Sequence, residues 1–451
     1  MWRRSLLLLP ILRVIIGADA ADNITWDRGP RLPAALRSSI REETFEKRAE
    51  DSLTELNVTD TVRLRFKEPN ICETTRGVRS YSGWNQESNL LFLSQPFGVG
   101  FSYESRDSGQ PLSPYTNATL VDRTEIAAAT AWHAVQALLY ELPQMGSEVK
   151  STDFHLWSES YGGHYGPAFY RYFHEQNEAI KAGKLSGVEL NLKTLGISNG
   201  IIDAATQFPS TDQNLITTEA LCSQAANMCR DNVEGPYYSY SERSMYDIRK
   251  DSNQRAYPDF FVKYLNTRET QDALGVALDF RYEDSSYDVY LAFQHSGDYA
   301  YPGFLEDLEF LMDKGIRVLL IYGDADYIGN WFGGEAVSLA LNHRQSTFFR
   351  ATPYTSLISG DKVNGKVREF GHLSFAVVYE AGHLISVDSP GVALDLFRRA
   401  AWGRDLATGE KTLDELVEIP LTPDAPGVPD ESGDEEEDEE IVDCWIGEHV
   451  G

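Results

Sequence analysis

The heptapeptide Trp157-Ser158-Glu159-Ser160-Tyr161-Gly162-Gly163 constrains this chain more than any other stretch. The segment before it, Asp153 to Trp157, reads as a strand, and His164 to Ala182 reads as a helix. A serine flanked at two-residue spacing by Ser158 and Gly162 fits a strand that reverses sharply into a helix, because bulkier side chains would clash in the turn. The fold must therefore bring a strand end and a helix N-terminus together at Ser160. That calls for alternating strands and helices around a parallel sheet.

The rest of the chain extends the alternation. Asn89-Leu90-Leu91-Phe92-Leu93, stopped by Gln95-Pro96, has the short apolar run of a buried parallel strand. A helix is predicted from about Asp122 to Tyr140, and a strand at Thr194 to Ser198 before the turn Asn199-Gly200. Arg317 to Tyr322, bounded by Gly315 and Gly323, reads as a central strand, and Val392 to Ala401 as a last helix. Between them, residues 205–300 lose regularity and are read as an inserted, partly helical cap. The expected division is 61–204 and 301–408 for the two parts of one catalytic domain, with 205–300 inserted and 409–451 an acidic tail.

Composition narrows the class. In 451 residues, 42% are hydrophobic and 12% aromatic, enough for a large core. A net charge of −29 argues against nucleic acid, since phosphate binding needs clustered Lys and Arg. Part of that charge is the run Asp430 to Glu440, too repulsive to bury and read as a solvated tail. At the other end, Arg3 and Arg4, an apolar stretch from Leu6 to Ile16 and the small-x-small site Ala18-Asp19-Ala20 have a signal-peptide layout, residues 1–20. No other segment is apolar enough to span a bilayer. Residues 21–60 read as a pro-segment or loose arm. Sequons at Asn23, Asn57 and Asn117 fit N-glycans on a secretory route. Of four cysteines, Cys222 and Cys229 are close enough in sequence to close a loop, while Cys72 and Cys444 lack obvious partners. No Cys/His cluster suggests a metal, and no cofactor motif stands out.

The chemistry rests on three residues. A serine hydroxyl needs a histidine to take its proton and a carboxylate to orient that histidine. Ser160 is followed by Asp326, after the strand ending Gly323-Asp324-Ala325-Asp326, and by His383, after Val377-Val378-Tyr379-Glu380-Ala381-Gly382. Asp324 is the alternative acid. The order Ser, Asp, His is that of α/β-hydrolases.

These residues sit in stretches that resemble the serine carboxypeptidase family, specifically its secreted fungal members. The matching stretches are Lys67-Glu68-Pro69-Asn70-Ile71-Cys72-Glu73-Thr74-Thr75, Gln95 to Tyr103, Glu159-Ser160-Tyr161-Gly162-Gly163-His164-Tyr165, Gly323 to Tyr327 and Ala381-Gly382-His383. The resemblance implies an α/β-hydrolase fold and cleavage of the C-terminal residue of peptides and proteins in the secretory pathway, by a secreted or vacuolar enzyme. It implies Ser160 as nucleophile, His383 as general base then acid, and Asp326 as its orienting partner. Tyr161 N–H would be one oxyanion donor. Glu159 would hydrogen-bond the substrate carboxylate, which needs a shared proton and hence acidic pH.

The chain also departs from the family. Relatives place strands and a Trp-x-Asn-Gly-Gly-Pro-Gly loop between the segments matching Gly83 and Trp84, which here are adjacent. That loop would supply the second oxyanion donor and most partners for the substrate carboxylate. Its absence is read as an internal deletion, with early strands missing and a catalytically impaired or inactive secretory protein as the alternative function. Gly329 stands where many relatives have a cysteine, and Leu384-Ile385 follows His383 where they carry Val-Pro.

Overall fold

The computed structural model describes residues 7–8, 83–84, 87–96, 98–102, 121–142, 151–207, 235–253, 260–274 and 281–416. The chain divides into two units, Met1–Val417 and Glu418–Gly451, and every described residue lies in the first. The sequons, all four cysteines, the 21–60 arm and the acidic run fall outside the described residues.

Two residues of the expected signal segment, β1 (Leu7–Leu8), pair in parallel with β2 (Leu90–Leu91). The main sheet has six strands: β3 (Asp153–Glu159), β4 (Asn191–Ser198), β5 (Arg317–Gly323), β6 (Thr355–Ser359), β7 (Lys362–Phe370) and β8 (Leu373–Val378). Their order is β3-β4-β5-β8-β7-β6. The pairs β3–β4, β4–β5 and β5–β8 are parallel, while β8–β7–β6 is an antiparallel meander.

Helices of ten residues or more are α1 (Thr124–Glu141), α2 (Gly162–Lys181), α3 (Tyr287–Ser296), α4 (Phe304–Asp313), α5 (Trp331–Ala340) and α6 (Pro390–Ala401). None among the described residues is long and apolar enough to cross a membrane. They sandwich the sheet. Every residue of β5 and β8 is buried, as parallel strands covered on both faces require. Val318, Leu320 and Tyr322 point into the larger core with α1, α2, α4 and α5, whereas Leu319 and Ile321 point into a smaller one against α6. The alternation along β5 thus builds two cores from one strand.

One feature went unforeseen in the sequence: residues 355–378 form a meander. The 205–300 stretch, read as partly helical, includes helices at Gly235–Tyr240, Phe260–Leu265 and Arg268–Leu274 beside α3. More consequential for the site, β3 has a single strand neighbour among the described residues, β4, so the strand leading to Ser160 is at one edge of the described sheet.

Candidate active site

Register fixes where the site lies. Glu159 pairs with Ser198, Ser198 with Ile321, and Gly323 with Val378. The C-terminal ends of four parallel strands therefore finish together, and the turns after them carry Ser160, Asn199, Asp326 and His383. Ligands of open α/β sheets bind at this edge.

Ser160 has φ 61°, a left-handed conformation that a residue with a Cβ adopts at a cost of about 1–3 kcal/mol. Its N–H donates to Ser198 O at 3.0 Å, and its carbonyl accepts from Gly163 N and Ile201 N. Neighbouring backbone holds the strained turn. Small residues are required around it: a Cβ on Gly162 would lie 2.5 Å from Ser158 Cβ, and one on Gly163 would strike the Ile201 carbonyl. Tyr161 follows at the cap of α2, its N–H at the positive end of a 20-residue helix. Its hydroxyl donates to Asp298 Oδ2 at 2.6 Å, and Asp298 also accepts from Thr124 N and Oγ1 at the start of α1. The residue after Ser160 is thereby tied to α1 and to the inserted region.

Asp326 and His383 meet. His383 Nδ1 lies 2.6 Å from Asp326 Oδ2. Asp326 further accepts from Asn199 Nδ2 (2.8 Å), Gly329 N (3.2 Å) and Ile328 N (3.1 Å). Four donors converge on a buried carboxylate and fix its orientation. Asp324 bonds Ala381 N instead, which decides between the two acids. Gly329 has no room for a side chain, because a Cβ there would lie 2.5 Å from Asn199 O and 2.9 Å from Asp326 Oδ2. Among the described residues no hydrogen bond joins Ser160 Oγ to His383, a contact that commonly tightens only when substrate binds. Burial pulls the His383 pKa down, but the Asp326 bond and the charges of Asp326 and Glu159 outweigh it, and the net shift is upward.

Glu159 ends β3 beside a small cavity of about 40 Å³, lined by Trp84, Trp157, Ile385 and Leu396 among others. Burial raises its carboxyl to about 7; His383 opposes and Asp326 adds. Glu159 is itself exposed at the strand end. Trp84, next to the sequence junction, stacks on Phe397 at 4.5 Å and meets Trp157 edge-on at 5.0 Å. A Cβ at Gly196 would lie 2.6 Å from the Trp157 ring, so a glycine in β4 makes space for it.

Asn199 is a site residue that the sequence reading missed. Its only signal is the Asn-Gly pair after a strand, which reads as a turn. No group of three or more His, Cys, Asp or Glu among the described residues is placed to hold a metal.

The family profile described as serine carboxypeptidase matches residues 71–257 and 241–403, well over half of the chain. The chain belongs to the serine carboxypeptidase family. Among individual members of that family, carboxypeptidase S1 homolog B of Arthroderma otae is 34% identical over 410 residues, covering 72% of this chain and 62% of that protein. Carboxypeptidase S1 of Penicillium janthinellum is 32% identical over 375 residues, covering 74% and 83%. The chain thus spans less than two thirds of the Arthroderma protein's length. The crystal structure of Kex1Δp, a prohormone-processing carboxypeptidase from Saccharomyces cerevisiae, superposes with a TM-score of 0.54 at 21% identity over 70% of this chain and 74% of that one. That likeness establishes the α/β-hydrolase fold expected for a serine carboxypeptidase.

Proposed function

We propose that the chain is a serine-type carboxypeptidase, with Ser160 as nucleophile, His383 as general base and Asp326 as its orienting acid. The observation that carries this reading is the strained Ser160 turn standing at the same sheet edge as the 2.6 Å Asp326–His383 pair. His383 Nε2 takes the Ser160 proton as Oγ attacks the scissile carbonyl, and the oxyanion forms against Tyr161 N–H. Collapse expels the C-terminal amino acid, its amine protonated by His383, and leaves an acyl-enzyme on Ser160. Water, deprotonated by His383, then hydrolyses the ester.

Below about 7 Glu159 is largely neutral and can donate a hydrogen bond to the substrate's terminal carboxylate. His383 works only when neutral, and its pKa is raised, so the two requirements pull in opposite directions. They are coupled: protonating Glu159 removes the smallest of the upward pushes on His383, while the Asp326 bond and charge remain. The test is hydrolysis of a blocked dipeptide at acidic pH by the purified protein beside Ser160→Ala. Activity confined to the unsubstituted protein supports the reading. Equal activity in both, or none in either, overturns it.

A second reading is an impaired or inactive carboxypeptidase-like protein that keeps the triad. Two observations favour it. Among the described residues, the strand leading to Ser160 is at the edge of the sheet. The match to the Arthroderma protein is 410 residues long, more than 72% of a 451-residue chain can fill, so that relative carries sequence with no counterpart here. Both fit an internal deletion at Gly83–Trp84 that takes away the second oxyanion donor, at a cost of about 100- to 1000-fold in turnover. A fluorophosphonate that labels Ser160 while peptides stay uncut would support this reading. The signal layout and the three sequons support a secretory-pathway location, secreted or vacuolar, for either protein.

A further inference from the structure

We infer that residues 244–250 of the inserted region form a strap that sets Asp326 and His383 against each other, and that Asp388 and Arg249 are positioning residues acting through it. The inference rests on the triad reading above.

The strap touches both catalytic turns with consecutive backbone groups. Met245 O accepts from Tyr327 N and Ile328 N, each at 3.1 Å, and Ile248 N donates to Ala325 O at 2.9 Å. These bonds bracket Asp326 on both sides. Between them, Tyr246 O accepts the backbone N–H of His383 at 2.7 Å, and the Tyr246 ring lies 5.2 Å from the imidazole. One short segment therefore holds acid and base, which come from turns 57 residues apart. Gly382 permits this approach, since a Cβ there would lie 2.5 Å from Tyr246 O and 2.8 Å from Asp247 Cβ.

A charge cluster locks the strap to the histidine turn. Asp247, nearly fully buried, is held by Arg249 Nε and Nη2 at 2.8 Å and by Lys250 Nζ at 3.1 Å. Arg249 reaches on to Glu380 at 3.1 Å, just before the turn, and to Asp388 at 3.5 Å, just after it. Lys250 Nζ donates to Asp388 Oδ1 at 2.9 Å, and Asp388 Oδ2 accepts the N–H of Gly382 at 2.8 Å. The path from strap to base is thus Lys250 and Arg249, then Asp388, then the backbone at Gly382, one residue before His383. Burial would lift Asp247, but the Arg249 and Lys250 bonds outweigh it and hold its carboxyl down at about 2, so Asp247 stays charged across the working range. A merely structural ion-pair group would brace the chain without touching both turns.

The experiment compares the full chain with Asp388→Ala, Asp388→Asn and Arg249→Gln. The readouts are the rate and pH midpoint of Ser160 labelling by a fluorophosphonate, the downfield proton resonance of His383 Nδ1, and far-UV circular dichroism. Asp388→Asn keeps an oxygen acceptor for Gly382 N, whereas Asp388→Ala keeps none. A displacement of about 1 Å in a catalytic group costs about 100-fold. Asp388→Ala should accordingly slow labelling about 10- to 100-fold and shift the His383 resonance with the fold intact. Asp388→Asn should recover most of the rate, and Arg249→Gln should fall between. Wild-type labelling and an unmoved His383 resonance in folded Asp388→Ala would overturn the inference. Should Asp388→Ala fail to fold, the same two readouts in Arg249→Gln decide. If the unsubstituted protein is itself unlabelled, the triad reading fails, and the resonance in the variants still judges the strap.

Discussion

The two long edges of β3 meet different surroundings. On one side β4 pairs with it over its whole length, and β4, β5 and β8 carry the turns that hold Asn199, Asp326 and His383. On the other side no strand pairs with it among the described residues. On the proposed reading, the triad is assembled from the turns on the paired side of the sheet. Turns on that side supply Ser198 O to the Ser160 N–H and Asn199 Nδ2 and Gly329 N to Asp326, and residues 244–250 add backbone bonds on both sides of Asp326.

Each half can be tested separately. The largest effect belongs to the paired half: Ser160→Ala should lower turnover by about 10⁴-fold or more and abolish fluorophosphonate labelling, read by mass spectrometry of the labelled peptide. Next comes the open half. Inserting the relatives' Trp-x-Asn-Gly-Gly-Pro-Gly loop and its strands between Gly83 and Trp84 should raise peptide turnover about 100- to 1000-fold, if that edge limits the chain. An insertion that folds and leaves turnover unchanged would remove the contrast.

Asn199→Ala takes one donor from the buried Asp326 carboxylate, worth about 1.5–3 kcal/mol, and should lower kcat by roughly tenfold or more with little change in KM. Glu159→Gln tests the pH behaviour. With its pKa raised to about 7, Glu159 loses its proton as pH rises through that value, so KM for peptides with a free C-terminus should climb there. Glutamine keeps a donor at all pH values and should flatten that climb. The smallest effect is on stability alone: Trp84→Ala gives up two aromatic contacts of about 0.5–1.5 kcal/mol each and should lower the melting temperature while the labelling rate holds.

Much of the paired half was legible in the sequence, because its signals are local. Short apolar runs ending in Gly-Asp or Asn-Gly marked β4 and β5, and the glycine spacing around Ser160 marked the turn before any coordinate showed φ 61°. Element ends shifted by a few residues, as with α2, predicted from His164 and found from Gly162. The β6–β7–β8 meander was missed because its strands mix exposed charged residues with apolar ones, and only β8 is buried throughout. Asn199 and the strap were missed for another reason. Their roles depend on partners 127 and 137 residues away in sequence, and no periodicity records such a contact.

The sequence by itself determined the chemical types and their order: a serine in a turn that only small neighbours permit, then an aspartate and a histidine after buried strands. It also determined the junction at Gly83–Trp84, because adjacency is a covalent fact. Only the tertiary structure decided that Asp326 rather than Asp324 faces His383, since both follow the same strand and differ in the direction in which the turn points them. It also decided that β3 is an edge among the described strands, because hydrogen bonding between strands is settled by which segments meet in space.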